Sequence, residues 1–417
     1  MGITSALYSG VSGLNTNSQA MSVIGSNLAN TNTVGFKAAR TVFSDLLSSN
    51  ISGSGGASQV GRGVTVSKVD NVFSQGTFEA TASNTDVAIE GEGFFLLKEP
   101  GDDTTYYSRA GAFRFDQDGF LVNPEGFRVQ GKPFDDDGNL IAGDPTDIQV
   151  PNEGLVPAKV TDLMTFNTNL DASEVAPPAL PAFDINLPET YNYSASTTVY
   201  DTLGTSHLVT LYFVKDAAVN SWTWHWSAED TLGTVQEGAG AVPITFDTEG
   251  VLTGGGDGQI PAIDWLNGSD PAVPIDLTFE TTQFNSASTV ISQDQNGFAA
   301  GNLTNVGINE EGVVIASYSN GEQVNISTLV LGKFTNPGGL QMIGSNMYVG
   351  TEASGPARSG IPGPELGSIF TNSLEQSTVD MGQEFVKMIT TQRGFQANSK
   401  IITTVDEMLG ELINLKR

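Results

Sequence analysis

The chain has 417 residues, a length that points to two or three domains. Its 18 Lys and Arg against 47 Asp and Glu give a net charge of -29, which excludes the basic face that nucleic acid or an anionic membrane surface would require. With no cysteine and two histidines, disulfides, thiolate metal sites and a Cys nucleophile are ruled out, and little is left for a His-rich metal site or a Ser-His-Asp triad.

The N-terminus lacks a basic region followed by a continuous apolar core, so no cleavable secretory signal is expected. It reads instead as a helix. Leu7, Leu14, Met21 and Leu28 recur every seven residues, flanked by Ile3, Val11 and Ile24, and such a repeat forms one stripe on a helix. Gly10, Gly13 and Gly25 work against that helix, at about 1 kcal/mol each relative to alanine.

Residues 48–63 are rich in Gly and Ser and read as a mobile connector. The periodicity then switches to two. Strands are expected around residues 64–66, 87–89, 113–115, 210–214 and 313–315. Turns are expected at Asp118-Gly119, Asp137-Gly138, Asn296-Gly297 and Asn320-Gly321. Irregular segments are expected at 175–181 and 354–364, where Pro, Ala and Gly concentrate.

The acid is uneven. Residues 146–284 hold 19 acidic and 2 basic residues, which marks a separate, solvated, acidic β-domain inserted into the rest.

The C-terminal stripe is longer: Met381, Met388, Phe395, Ile402 and Leu409, flanked by Phe385, Val405, Leu412 and Ile413. Ser373-x-x-Gln376 and Ser377-x-x-Asp380 read as capping boxes ahead of it, and Lys416 and Arg417 suit the negative end of the helix dipole. The two stripes look insufficient to order the termini of a lone chain. The expectation is that both ends fold when neighbouring subunits supply partner helices.

No catalytic constellation stands out. Gly91-Glu92-Gly93 lacks the third glycine of a dinucleotide loop, since Leu96 stands there. The segment 114–125 is a partial calcium loop whose first ligand position is Arg114, a cation, so a β-turn fits better. Trp222, Trp224 and Trp226 alternate with His225 and read as core rather than a glycan platform. Neither His207 nor His225 has an evident partner. No cofactor and no metal is expected, and the chain does not read as an enzyme.

The two ends carry the most specific wording. NLANTNTVGFK (27–37) resembles the N-terminal motif of the bacterial flagellar rod and hook family, with Asn27, Asn30, Thr33, Gly35, Phe36 and Lys37 as its marked positions. LEQSTVD (374–380) and QRGFQANSK (392–400) resemble the matching C-terminal signature, with Gln392, Arg393, Asn398 and Ser399 marked, and DEML (406–409) with LINL (412–415) continues it. Within the family the wording looks like its hook members, as do DQNGFAAG (294–301), YSNG (318–321) and FTNPGGL (334–340). Ser22, Ser26 and Gly382 depart from the usual pattern, and Gly382 weakens the first turn of the C-terminal helix.

The resemblance implies a multidomain α+β fold. Residues 1–30 with 372–417 would form an inner, coiled-coil-like helical domain, and 31–69 with 361–371 a connector. Two nested, mainly β domains would follow: 70–145 with 287–360 inside, and the acidic 146–286 outside. It implies a structural subunit that polymerises with itself into a curved helical tube, a universal joint carrying torque from rod to filament. The nine stripe residues Leu7 to Leu409 would pack between subunits. Implied partners are the flagellar rod, the hook cap, the hook–filament junction proteins and the type III export apparatus, with no nucleic acid and no membrane insertion. The implied place is the hook of the flagellum, outside the cell. Competing readings are a distal rod protein, which would form a straight tube, a secreted glycan- or cation-binding β-protein, and an extracellular hydrolase.

Overall fold

The computed structural model describes residues 3–47, 49–53, 56–135, 138–151, 155–178, 180–271 and 273–414. It is mostly β, with one long helix at each end: α1 (Ile3–Ala29) and α2 (Met381–Asn414). The chain divides into two compact units, 1–152 with 306–316 and 324–417, and 153–305 with 317–323.

In the first unit a run of apolar residues makes a strand that is buried on both faces. Phe94–Lys98 alternates by its pleat. Phe95 and Leu97 enter a core with Val87, Ile89, Val129 and Leu331, whereas Phe94 and Leu96 enter a second core with Tyr107, Phe334 and Tyr348. The strand pairs antiparallel with Thr105–Ser108 on one side and Arg128–Pro133 on the other. Gly91-Glu92-Gly93 is the bend that leads into it from Val87–Glu90, and a strand rather than a helix follows.

The returning chain closes this unit. Ser368–Thr371 pairs with Val87–Glu90, and Ser373–Glu375 pairs with Phe78–Ala80. Ser373 therefore sits in a strand, not at a helix start. The cap of α2 is Asp380, whose carboxylate accepts from the Gln383 amide at 3.1 Å, while the Gln383 side chain reaches back to it at 3.3 Å. The N-cap thus lies three residues later than the Ser377 pattern suggests. Asp380 is the residue with a free oxygen directly before the first helical turn. With that cap, Gly382 is tolerated in the first turn.

Residues 49–53 and 56–60, within the stretch read as a mobile connector, form an antiparallel pair. Backbone hydrogen bonds build that ladder, and Ser and Gly leave no side-chain alternation to signal it. The next hairpin, Ala39–Asp45 with Val64–Asn71, is long and largely exposed.

The second unit is a sandwich. One sheet contains Leu163–Asp171, which runs parallel to Ile275–Phe279 and Thr282–Phe284 and antiparallel to Thr289–Gln295. The other is an antiparallel set led by Tyr193–Tyr200, Ser206–Lys215 and Ser221–Glu229. Phe166, Leu211, Phe213, Trp222, Trp224, Trp226, Leu277 and Phe279 fill the core between them, so the three tryptophans are core residues. His225 points to the opposite face and stacks on Phe183 at 3.9 Å between ring centroids. His207, for which the sequence offered no partner, bonds Asp201 at 2.9 Å and stacks on Trp265.

Much of the acid in these turns is structural. Asp116 accepts from the amides of Asp118 and Phe120, Asp201 from Leu203 and Thr205, and Asp230 from Leu232 and Thr234. Each aspartate opens a turn that a glycine at positive φ closes, at Gly119, Gly204 and Gly233. The segment 114–125 is such a turn. Asp136, Asp137, Leu415, Lys416 and Arg417 lie outside the described residues, and with them the expected dipole role of the last two.

Candidate functional site: the terminal helix pair and its anchor

The helices pack antiparallel. Gly10 faces Ile402, Gly13 faces Asn398 and Gly394 faces Asn17. The inward face of α1 is Gly10, Gly13, Thr16, Ala20, Ile24 and Asn27, at the three- and four-residue spacing that keeps one helical face. These are mostly small residues. The glycines that weaken the isolated helix are the points where the two backbones come close, whereas Gly25 is exposed and touches nothing.

The heptad stripe lies beside this face. Leu7, Leu14, Met21 and Leu28 are only half-buried. On α2, Met388, Ile402 and Leu409 are half-buried, while Met381 and Phe395 are exposed. Phe385, Val386, Ile389, Ile401, Met408 and Ile413 are exposed as well. A contact made through small residues buries little apolar area. The pair therefore keeps most of its large apolar side chains uncovered within the single chain.

The N-terminal motif is the anchor that fixes this pair to the rest of the unit. Asn27 ends the inward face. Its side-chain amide donates to the Ala39 carbonyl at 2.7 Å and accepts from the Ala39 amide at 2.9 Å, so it behaves as an added strand residue. It also reaches the buried Glu384 of α2 at 3.3 Å, and Lys387 pairs with Glu384 at 2.7 Å. Thr33 donates to the Asn30 side chain at 3.0 Å and shapes the turn after α1. Gly35 then passes against the Arg109–Ala110 backbone at φ +70, where a Cβ would stand 2.7 Å from the Ala110 nitrogen. Its amide donates to the Glu375 carbonyl at 2.7 Å. Phe36 is buried beside it, and the Ala38 amide donates to Thr378 at 2.9 Å.

Lys37 is fully buried. Its ammonium donates to Glu375 Oε1 and to the Ser74 carbonyl, both at 2.6 Å. Glu375 is equally buried and also accepts from the Gly76 amide at 2.7 Å and from Gln75 at 3.2 Å. Arg109 lies 3.5 Å from its other oxygen and donates to the Gly91 carbonyl at 2.6 Å. Burial holds the Lys37 ammonium below its ordinary 10.5, against the opposing pull of Glu375. Burial likewise lowers the Arg109 guanidinium, and it pushes the nearby Tyr348 hydroxyl up to about 12. One carboxylate thus joins two cations from distant parts of the chain to the returning C-terminal strand.

The structure therefore brings Gly35, Phe36 and Lys37 against the 374–380 signature, while Asn27 joins Ala39 and Glu384, and Asn30 and Thr33 shape the turn between them. The second half of the C-terminal motif does other work. Gln392 and Arg393 are exposed on α2, Asn398 sits in the helix pair against Gly13, and Ser399 is half-buried. Sequence reasoning missed Glu375, Glu384 and Arg109. Glu375 lies within the quoted signature and Glu384 just after it, but no local pattern in the sequence marks either as buried.

Four family models match: Flagella basal body rod protein over residues 7–37, Flagellar hook protein FlgE/F/G D1 domain over 88–191, Flagellar basal body protein FlaE D2 domain over 169–298, and Flagellar basal body rod FlgEFG protein C-terminal over 371–415. The chain is 36% identical to the flagellar hook protein FlgE of Borreliella burgdorferi, with 99% of each chain covered. The chain belongs to the flagellar hook protein FlgE family. It is 34% identical to the Escherichia coli member, over 99% of this chain and 100% of that one. A crystal structure of the Helicobacter pylori flagellar hook protein FlgE2 has the same fold over 72% of this chain and all of its own, at TM-score 0.52 and 14% identity. The rod models match only the two ends, which hold the helix pair and its anchor. The hook-named relatives match from end to end.

Proposed function

We propose that this chain is the structural subunit of a bacterial flagellar hook. Copies leave the cell through the flagellar type III apparatus. Outside, they polymerise into a curved helical tube that passes torque from rod to filament. Residues 1–30 with 372–417 form the inner layer of that tube, and 31–69 with 361–371 the connector. Residues 70–145 with 287–360 form the inner β-layer, and the acidic 146–286 the outer layer. The contacts at the two ends of the tube are with the rod, the hook cap and the junction proteins.

The observation that carries this reading is the uncovered apolar surface of the helix pair. Phe385, Val386, Ile389 and Met381 crowd the first three turns of α2, and all are exposed in the single chain. A patch of that kind marks an association surface. A head-to-tail contact that does not close on itself generates a helix of subunits. The stripe residues Leu7, Leu14, Met21, Leu28, Met381, Met388, Phe395, Ile402 and Leu409 pack between copies.

Replacing both Phe385 and Ile389 with aspartate will block assembly and leave the monomer folded. Each side chain is worth about 1.5–3 kcal/mol when buried between copies, so the critical concentration rises at least ~100-fold. Sedimentation of the polymer, with circular dichroism of the monomer, checks this. Assembly at the wild-type concentration contradicts the reading.

A further inference from the structure

Beside the anchor lies a cavity of about 360 Å³ whose wall is unusual for this chain. Arg109, Lys333 and Arg358 line it with one acid, Glu92. Acidic residues outnumber basic ones by 47 to 18 overall, so a wall with three cations and one acid reverses the local balance. Phe94 and Phe334 supply the apolar part of the wall, and the Arg109 guanidinium lies 5.2 Å from the centroid of the Phe94 ring.

The charges are unequally committed. Arg109 is 2% exposed, and its Nε has no hydrogen-bond partner among the described residues. It shares Glu375 with Lys37, so this buried trio holds two cations against one carboxylate. At the mouth, Lys333 pairs with Glu92 at 2.8 Å and Arg358 lies 3.8 Å from Glu365. Those two carboxylates are themselves 75% and 86% exposed. Pairs that exposed are weak and exchange readily for another carboxylate. A carboxylate entering the cavity meets the mouth cations first and then the field of the buried surplus, beside aromatic walls that exclude water.

We infer that this cavity is a carboxylate socket that receives an acidic turn from a second copy of the chain during assembly. The inference rests on the hook reading. Copies that each carry -29 repel one another, and assembly needs places where acid meets cation. A second copy offers such turns in Asp102-Asp103 and Glu310-Glu311, both exposed at hairpin ends.

Equal amounts of ordinary and 15N-labelled full-length chain, assembled together and treated with a carbodiimide, test this. The reagent activates a carboxylate and joins it to an adjacent amine as an amide with loss of water. Mass spectrometry then shows whether the amide from Lys333 is within one chain or between two. The expected result is isotope-mixed peptides linking Lys333 to an Asp or Glu of another copy. They are absent from the dilute monomer. Their yield falls at least five-fold in Arg358→Gln and is restored in Arg358→Lys, with monomer melting unchanged. If tubes form and Lys333 couples only to its own chain, the socket is wrong while the hook reading stands. If the wild-type chain forms no tubes, the hook reading fails and the socket falls with it.

Discussion

Replacing Glu375 with alanine will destabilise the first unit by about 3–5 kcal/mol, because it strands buried cations without their counter-charge. Lys37 loses its only carboxylate among the described residues, and Arg109 loses the buried carboxylate that pairs with it. The Gly76 amide and the Gln75 side chain lose their acceptor as well. Glu375→Gln keeps the shape and an acceptor oxygen while removing the charge, so it should fall between the alanine variant and wild type. Denaturant titration of the full chain measures the difference, and a loss below about 1 kcal/mol would show that the ion cluster is not what binds the two chain ends.

This effect has a pH signature. Burial lowers the Lys37 ammonium in the folded protein, whereas the unfolded chain holds that proton up to the ordinary 10.5. Between the lowered value and 10.5 the unfolded chain binds more protons, so stability from this group rises with pH. Glu375 opposes the lowering in wild type. Without it the folded Lys37 gives up its proton at still lower pH, and the window opens further. Glu375→Ala should therefore recover part of its deficit as the solution becomes alkaline, relative to wild type. A deficit that stays constant with pH would contradict the role given to Lys37.

The second large effect is at Gly35. Alanine there must adopt φ +70, and its Cβ would meet the backbone of Arg109 and Ala110 at 2.7 Å. The left-handed conformation costs about 1–2 kcal/mol, and the clash with backbone that cannot rotate away adds about 1–3. A loss of about 2–5 kcal/mol is expected in thermal melting. Gly25→Ala is the counterpart. Gly25 is exposed in α1 with nothing near its Cβ position, so the same change should stabilise α1 by about 1 kcal/mol. Equal effects at the two sites would mean that Gly35 is not a point of close approach.

The contrast between these glycines shows what the sequence conveys and what it does not. The heptads of Leu7 to Leu28 and Met381 to Leu409 predict both terminal helices, because a helical stripe is a local pattern. The same pattern does not tell which face of α1 meets α2 within the chain. The largest side chains stand out in a sequence, yet the helices come closest at glycines, where Gly10 meets Ile402, Gly13 meets Asn398 and Gly394 meets Asn17. Small residues in contact leave no apolar signal. The motif residues 27–37 were legible as a motif, but their joint partner Glu375 lies 338 positions from Lys37. Only the folded chain brings them together. The strand at 210–214 follows from alternation, and those at 87–89 and 313–315 from short apolar runs rich in valine and isoleucine. The parallel pairing of Leu163–Asp171 with Ile275–Phe279 does not, since its strands are joined by over a hundred residues and no turn fixes the register. Trp222, Trp224 and Trp226 were readable as core because their period of two matched their strand.

The account depends on copies of this chain meeting through their terminal helices. Electron cryomicroscopy of the polymer formed by the full-length chain tests that most directly. It should show a hollow, curved tube whose bore is lined by residues 3–29 and 381–414, with Phe385, Ile389 and Phe395 packed against neighbouring copies. A polymer in which those helices lie on the outer surface and touch no neighbouring copy, or a chain that stays monomeric at every concentration, would contradict it.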